Sequence, residues 1–161
     1  MPIPAPFDCY RGEVLPEWID MNGHMNLAYY TVLFDYAADL LFETIGIGRG
    51  YKDATGHGTF VVETHNQYER ELLVGERVRV ASQIIGADDK RLHLAHEMFR
   101  LEDGARAAMQ ELMFLSVDLR RRRVVPFLPE AAGRVAAAAA AHMHLPRPVW
   151  AGRHIALPGQ P

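Results

Sequence analysis

The sequence predicts an α+β fold in which an antiparallel sheet curls around one long central helix. Two observations support this class. Apolar residues recur at three- and four-residue spacing over Leu27–Ile45, which is the period of an amphipathic helix. Four long stretches rich in Val, Ile, Phe and Met follow that segment and are separated by short turn signals, as in consecutive β-hairpins. One helix followed by a four-strand meander therefore gives the α+β layout.

Length and composition limit the function classes. We expect a single domain over 1–161, with its core at about 11–120 and a C-terminal helix and tail at 129–161. A net charge of −3 argues against a nucleic-acid footprint, and the only cysteine, Cys9, allows no internal disulfide and no Cys-based zinc cluster. No apolar run reaches membrane-spanning length, and Met1–Asp8 lacks a signal-peptide pattern. We expect a cytoplasmic protein that binds neither nucleic acid nor membrane.

The first half of the chain is predicted as a short strand, a loop and the central helix. The strand is expected over Arg11–Trp18, interrupted at Pro16, which cannot donate to a ladder. The helix should begin close to Asn26, a good N-cap type, and end near Ile45, where glycines follow as stop signals. Gly46–Gly58 is rich in glycine and polar residues and is predicted to be a loop.

The second half should form the meander. The four strands are predicted over Thr59–Leu72, Glu76–Ala87, Arg91–Glu102 and Ala105–Arg120. The clearest hairpin turn between them is Asp103-Gly104. An external second helix is expected at Pro129–His142, followed by an extended tail pinned to the body or to a neighbouring subunit, with Trp150 and Ile155 as its anchors.

One charge cluster closes the last long strand. Arg120–Arg123 places four guanidinium groups in succession. A solvated turn is the simpler interpretation. The alternative is a binding site for a phosphate-bearing cofactor tail, because guanidinium groups bind phosphate bidentately.

The residues that point to chemistry lie just before the central helix. Asp20, Asn22, His24 and Asn26 fall on alternate positions, so a locally extended backbone would direct all four side chains to one side. The first amides of a helix lack internal partners and carry partial positive charge, so they can hold a carbonyl oxygen that becomes negative during attack. The expected donors are Met25, Asn26 and Leu27.

A carboxylate at Asp20 would then lie across from such a carbonyl, as nucleophile or as base for water. This arrangement suits acyl transfer. The alternative is an ordinary polar turn in which His24 is a surface residue.

Glu63 is a second candidate acid, because it lies in an otherwise apolar strand segment. A desolvated glutamate has a raised pKa and can serve as a base. The alternatives are a salt bridge or an edge-strand charge that deters unwanted pairing. Tyr68 lies on the opposite parity and need not share a pocket with Glu63.

The remaining histidines do not form a metal pattern. His93 and His96 are three apart in a predicted strand and should face opposite sides. His142 and His144 have no Asp, Glu or Cys beside them. No metal site and no other cofactor is expected.

The order of a short strand, a D-x-N-G-H-M-N loop, a long helix and a four-strand meander resembles the hotdog-fold acyl-CoA thioesterases, the group that includes 4-hydroxybenzoyl-CoA thioesterase. The resemblance covers nearly all of Arg11–Arg120, and Glu13–Asn26 is its most specific part. The loop is also similar to that of plant acyl-carrier-protein thioesterases. More narrowly, Pro16–Asp20 with Val62–His65 is similar to betainyl-CoA thioesterases and to the thioesterase module of some carnitine dehydrogenases.

The resemblance implies hydrolysis of a small acyl-CoA, with betainyl-CoA as the narrower expectation. It gives Asp20 the catalytic carboxylate position, with Asn22 and His24 orienting the carboxylate, the water or the thioester. It gives the helix start the oxyanion donor, and Glu63 would assist from across a subunit interface. The family works as homodimers or as dimers of dimers, homotetramers, with sheets joined edge to edge.

A trimethylammonium group would prefer aromatic faces. The aromatic candidates are Trp18, Tyr29, Tyr30 and Tyr68, and Thr64 is a further candidate for substrate contact. Trp18 is alternatively a core residue, which we favour because large aromatics mostly serve burial. Coenzyme A would be part of the substrate. Two other functions compete: a hotdog hydratase or dehydratase, and a non-catalytic acyl-CoA binding module.

Overall fold

The computed structural model describes residues 3–159 and places six strands in one antiparallel sheet. The strands are β1 (Phe7–Glu13), β2 (His57–Tyr68), β3 (Arg77–Ala87), β4 (Arg91–Arg100), β5 (Arg106–Asp118) and β6 (Arg123–Val124). The helices are α1 (Leu27–Ile45), α2 (Arg49–Thr55) and α3 (Pro129–His142). The strand order is β1-β3-β4-β5-β2, with β6 also paired to β5, so β2 forms one edge of the sheet. The predicted α+β class is confirmed.

The central helix has the predicted bounds because both ends are capped locally. At its start, the Asn26 side-chain oxygen accepts the N–H of Ala28 at 3.0 Å. At its end, Gly46 adopts the left-handed conformation with φ 75°. The apolar face between them is buried against the inner face of the sheet. Its members are Tyr30, Leu33, Phe34, Ala37, Ala38, Leu41, Phe42 and Ile45.

The outer face of the sheet is partly covered by residues 145–153, which we call the C-terminal strap. Trp150 packs on Ala95 and Met109, and its indole N–H donates to Glu97 at 3.0 Å. The Gly152 N–H donates to the Glu111 carboxylate at 2.5 Å. The predicted anchoring by Trp150 is therefore confirmed.

Several local predictions are corrected. Ile155 is 91% exposed and anchors nothing. The first strand runs over Phe7–Glu13 instead of Arg11–Trp18, and Pro16–Trp18 forms a 3₁₀ turn, because proline at the start of a helical turn loses no hydrogen bond. The predicted loop Gly46–Gly58 contains helix α2. This helix is short and buries only Tyr51, so its periodicity is too brief to detect.

The sheet strands also differ at their ends. β2 stops at Tyr68 instead of Leu72, β5 stops at Asp118 instead of Arg120, and the two-residue strand β6 was not predicted. Within residues 3–159, none of the helices combines the length and apolar character needed to cross a bilayer.

Candidate active site

The loop before α1 is a closed turn, so the extended backbone that would direct all four polar side chains to one side is not formed. Ile19 and Met25 form an antiparallel bridge that closes it. The Asp20 N–H donates to the His24 carbonyl at 3.0 Å, and the Gly23 N–H donates to the Asp20 carbonyl at 3.0 Å. Gly23 has φ 81°, a conformation that glycine adopts at little cost. The chain therefore reverses direction here. The four polar side chains, at alternate positions in the sequence, are not brought to one side by an extended backbone.

Asp20 lies half-buried at the base of this turn. One carboxylate oxygen accepts the backbone N–H of Asn22 at 2.8 Å. Asn22 therefore orients Asp20 through its backbone amide, while its side chain is exposed. The other Asp20 oxygen has no hydrogen bond to a protein group among residues 3–159. A carboxylate fixed through one oxygen leaves the second available for substrate or water.

The amides at the helix start are not equivalent. The Met25 N–H donates to the Leu72 carbonyl at 2.8 Å, and the Asn26 N–H donates to the Trp18 carbonyl at 2.9 Å. The prediction that these two amides hold an oxyanion is corrected, because both are already occupied. In the part of the chain that the structure describes, the Leu27 N–H has no such partner. Leu27 is therefore the remaining donor at the positive end of α1.

A cavity of about 270 Å³, which we call the helix-start pocket, opens beside Leu27. Its lining residues are His24, Met25, Leu27, Tyr30, Tyr68, Glu69, Arg70 and Glu71. The Tyr30 and Tyr68 rings meet edge to face with centroids 5.1 Å apart. The Tyr30 hydroxyl donates to the Arg70 carbonyl at 3.3 Å, and burial raises the pKa of Tyr30 to about 12. The pocket wall is thus aromatic and neutral at this point.

A polar network that the sequence did not reveal supports this wall. Asn66 donates from its side-chain amide to the Thr31 hydroxyl at 2.8 Å and to the Tyr68 hydroxyl at 3.2 Å. Gln110 donates to the Asn66 side-chain oxygen at 2.9 Å. The Tyr68 hydroxyl in turn lies 3.5 Å from the Leu27 carbonyl oxygen. The network connects β5 and β2 to the first turn of α1, where Leu27 lies. The sequence signal was polar residues on the inward parity of two strands.

The other aromatic candidates lie outside the pocket. Trp18 and Tyr29 stack with centroids 5.1 Å apart and planes 12° apart. Both are half-buried against the core cluster around Phe34, which agrees with the core interpretation of Trp18. His24 lines the helix-start pocket, and one ring nitrogen is 3.2 Å from the Met25 carbonyl oxygen.

Glu63 lies away from Asp20 within the protomer. It is exposed on β2 and pairs in register with Met113, which faces the outer side of the sheet. Of the interpretations left open for Glu63, the desolvated environment is therefore absent from the protomer. Glu63 and Thr64 line a separate cavity of about 620 Å³, together with the His93–Glu111 pair, whose atoms are 2.7 Å apart. The predicted opposite orientation of Glu63 and Tyr68 is confirmed.

The histidines of β4 face opposite sides, as predicted. His96 is fully buried, its ring nitrogen is 2.8 Å from the Ser82 hydroxyl, and burial lowers its pKa to about 3. Burial also lowers the pKa of His142, whose ring nitrogen accepts the Ile84 N–H at 3.2 Å. Across residues 3–159, no group of three or more His, Cys, Asp or Glu side chains is arranged to hold a metal ion.

The chain is similar to proteins of known family. A sequence model described as the thioesterase-like superfamily matches residues 14–150. A betainyl-CoA thioesterase of Pseudomonas aeruginosa is 43% identical over 149 residues, which are 92% of this chain and 94% of that protein. An L-carnitine dehydrogenase/betainyl-CoA thioesterase of Rhizobium meliloti is 33% identical over 138 residues, 86% of this chain and 28% of that protein.

Among solved structures, the hypothetical protein SAV2348 from Staphylococcus aureus, in complex with CoA, superposes with a TM-score of 0.85. It is 28% identical to this chain, and the match covers 92% of this chain and 94% of that one. A 1,4-dihydroxy-2-naphthoyl-CoA thioesterase from Synechocystis, 15% identical with a TM-score of 0.70, shares the fold over 79% of this chain and 93% of its own.

Proposed function

The chain belongs to the thioesterase-like superfamily and hydrolyses acyl-CoA thioesters, and on that premise we propose that Asp20 and the Leu27 amide carry out the hydrolysis of a betainyl-type acyl-CoA. Hydrolysis of acyl-CoA thioesters is therefore favoured over the two alternatives, a hydratase and a non-catalytic binding module. The catalytic assignment is supported best by Leu27, whose N–H has no partner among residues 3–159 and which lines the helix-start pocket together with His24 and Met25 of the Asp20 loop.

In the reaction, the thioester carbonyl lies in the helix-start pocket with its oxygen at the Leu27 N–H. The free oxygen of Asp20 either attacks the carbonyl carbon, forming an acyl anhydride and releasing the CoA thiolate, or takes a proton from the attacking water. In the first route, water then cleaves the anhydride and restores Asp20. Both routes consume one water and yield the free acid and CoA. The Leu27 amide and the helix dipole stabilise the negative oxygen in either case. No cofactor is required, so activity should persist in EDTA.

Replacing Asp20 by Asn tests the catalytic assignment. Asparagine keeps an oxygen that can accept the Asn22 N–H, so the turn should be retained while the negative charge is lost. We expect kcat to fall at least roughly a hundredfold. Glu63→Gln is the matched control, because Glu63 is an exposed acid on the other side of the sheet. An active Asp20→Asn enzyme with an inactive Glu63→Gln enzyme would reverse the two roles.

The betainyl assignment is supported by the similarity to betainyl-CoA thioesterases and by the aromatic wall of the pocket. A trimethylammonium group is attracted to aromatic faces by about 0.5–2 kcal/mol, which corresponds to an about twofold to thirtyfold preference. The neutral control has the same shape: 3,3-dimethylbutyryl-CoA replaces the nitrogen by carbon. We expect kcat/KM to be about tenfold higher for betainyl-CoA, and Tyr68→Leu to remove most of that preference. Equal rates for the two substrates would contradict the assignment.

The proposed active unit is a homodimer joined at β2. This edge strand exposes Phe60, Val61 and Val62 at 41%, 42% and 55%. An exposed apolar strand edge is a template for pairing with another chain. Two copies related by a two-fold axis pair the same strand antiparallel, which buries this apolar stretch. Val62→Lys should shift the mass measured by light scattering from dimer to monomer. A wild-type monomer would exclude the dimer.

The dimer also bears on Glu63, which lies at the middle of β2. Glu63 and Tyr68 are five residue steps apart, about 17 Å in a strand, so Glu63 does not reach its own helix-start pocket. Pairing centred on the same strand leaves the partner's Glu63 near the two-fold axis as well. Assistance from across the interface is therefore less favoured than the edge-charge role, and we expect Glu63→Gln to keep most of its activity.

A further inference from the structure

A row of polar side chains crosses the inner face of the sheet beneath α1. Ser82, His96, Gln110 and Asn66 lie directly opposite one another on the neighbouring strands β3, β4, β5 and β2. The first three are at most 2% exposed, and His96 stacks on Phe34 of α1. Polar groups inside an apolar core are costly unless they are hydrogen-bonded, so the partners of each member decide what the row does.

The row consists of two hydrogen-bonded pairs. In the core, one ring nitrogen of His96 is 2.8 Å from the Ser82 hydroxyl. Nearer the edge of the sheet, the side-chain amide of Gln110 donates to the Asn66 side-chain oxygen at 2.9 Å. Among residues 3–159, no hydrogen bond joins His96 to Gln110. The pair of Gln110 and Asn66 is therefore the part of the row that reaches the helix-start pocket.

The hydrogen bonds of Asn66 fix the direction of its side-chain amide. Its oxygen accepts from Gln110, and its nitrogen donates to the Thr31 hydroxyl at 2.8 Å and to the Tyr68 hydroxyl at 3.2 Å. Both hydrogens of the amide nitrogen are thereby used. Because the Tyr68 hydroxyl accepts from Asn66, its own hydrogen is available to the Leu27 carbonyl oxygen, 3.5 Å away. Asn66 thus joins the first turn of α1 to the aromatic wall of the pocket.

Tyr68 depends on this hydrogen bond because burial does not hold its ring. The residue is 45% exposed and is the last residue of the edge strand β2. Its ring meets that of Tyr30 only edge to face. A half-exposed side chain can move between rotamers unless a contact at its far end selects one of them. For Tyr68 that contact is made by Asn66 and by the Leu27 carbonyl oxygen.

We propose that Asn66, held in orientation by Gln110, is a positioning residue that sets the acyl specificity of the helix-start pocket by fixing the Tyr68 ring. This proposal rests on the function proposed above, in which a trimethylammonium group contacts the aromatic wall. In a betainyl thioester a single methylene group separates the ammonium nitrogen from the reacting carbonyl, so both are bound in one pocket. Cation–π attraction needs the cation over the ring face, within about 6 Å of its centre, so a ring that moves away loses it. Asn66 does not line the pocket and acts through Tyr68.

The first test uses two variants that keep the aromatic ring. Asn66→Ala removes the group that holds the hydroxyl, and Tyr68→Phe removes the hydroxyl itself. Both are assayed with betainyl-CoA and with 3,3-dimethylbutyryl-CoA, and the preference is the ratio of the two kcat/KM values. We expect each variant to lower the preference about threefold, through KM for betainyl-CoA, with kcat little changed. Tyr68→Phe loses only one hydroxyl group and keeps the fold even if Asn66→Ala does not, and an unchanged preference in either folded variant would overturn the proposal.

The matched control is Gln67→Ala. Gln67 is the next residue of β2 after Asn66 and faces the opposite side of the sheet, where its side-chain amide donates to the Trp150 carbonyl at 3.3 Å. This variant therefore removes an amide hydrogen bond from the same strand without changing a contact of Tyr68. We expect the wild-type preference. An equal fall in this control would show that any weakening of β2 lowers the preference, which contradicts a specific role of Asn66.

The second test asks whether Asn66 acts through the Tyr68 hydroxyl. The double variant Asn66→Ala/Tyr68→Phe should have the same preference as either single variant, because the same hydrogen bond is lost in all three. Additive losses, about ninefold in total, would show that the two residues act independently and would refute the proposal. Urea unfolding of the same proteins separates a purely structural role. Such a role would lower stability and would reduce kcat/KM equally for both substrates, which leaves the preference unchanged.

The outcomes also distinguish this proposal from the proposed function. If the wild-type enzyme has no preference for betainyl-CoA, the betainyl assignment fails. The single and double variants are then compared by kcat/KM for 3,3-dimethylbutyryl-CoA, whose acyl group has the same shape and contacts the same wall. Equal losses in the three variants would support the positioning role of Asn66, whereas additive losses or no loss would overturn it.

Discussion

Acid sensitivity of the fold should originate in His96. This side chain is fully buried between the sheet and α1, stacked on Phe34 with ring centroids 5.8 Å apart. Burial lowers its pKa to about 3, against about 6.5 in an unfolded chain. Between these values the unfolded state binds a proton that the folded state excludes. Stability therefore declines as the pH falls below about 6.5, and the decline ends near the folded pKa.

The magnitude follows from the pKa of the unfolded chain. At pH 5 the pH is about 1.5 units below the pKa of histidine in the unfolded chain. This difference corresponds to about 2 kcal/mol of lost stability. This is a substantial part of the 5–15 kcal/mol typical of a domain, and it should lower Tm by roughly 4–8 °C. Carboxylates ionise near pH 4 when unfolded, so they contribute mainly below this window. His142 has a lowered pKa for the same reason and adds a loss of the same sign.

The perturbation is His96→Leu combined with Ser82→Ala. Replacing both members of the hydrogen-bonded pair by apolar residues leaves neither with an unmet partner, so stability at pH 7 should change little. Urea unfolding at pH 7 and pH 5 measures the difference. We expect the double variant to lose about 2 kcal/mol less than wild type on acidification. The exposed His144→Gln is the control and should behave as wild type. An unchanged acid loss in the double variant would refute the reasoning.

Two further substitutions test the ends of the fold. Asn26→Ala removes the cap of α1 and should cost about 1 kcal/mol of stability in urea unfolding. The fractional loss of kcat should be larger than the fractional loss of stability, because the cap adjoins the Leu27 amide. Equal kcat in this variant would mean that the Leu27 position does not depend on the cap. Trp150→Ala should cost about 3–5 kcal/mol and expose the C-terminal strap to proteolysis, and an unchanged digestion pattern by mass spectrometry would contradict this.

Features that depend on neighbouring residues were predictable from the sequence. The bounds of α1 follow from Asn26 and Gly46, whose capping contacts lie within a few positions of the helix ends. The Trp150 anchor was predictable because a large aromatic in a Pro-rich tail has few other uses.

Features that depend on distant partners were not. The Met25 and Asn26 amides looked free in sequence, and their acceptors, Leu72 and Trp18, come from segments that pack there only in the folded chain. The network of Asn66 and Gln110 likewise joins two strands with the helix. The sheet face on which Glu63 lies was harder still to predict from the preceding residues. A bulge between Val61 and Glu63 changes the alternation of inward and outward side chains along β2.

The C-terminal strap has a consequence for higher assembly. It occupies the outer surface of β4 and β5 through Trp150, and it is hydrogen-bonded there to Glu97 and Glu111. A second dimer stacking its own sheet on this surface would first have to displace the indole from Ala95 and Met109. Two dimers that meet back to back would therefore have their own tails between the two sheets.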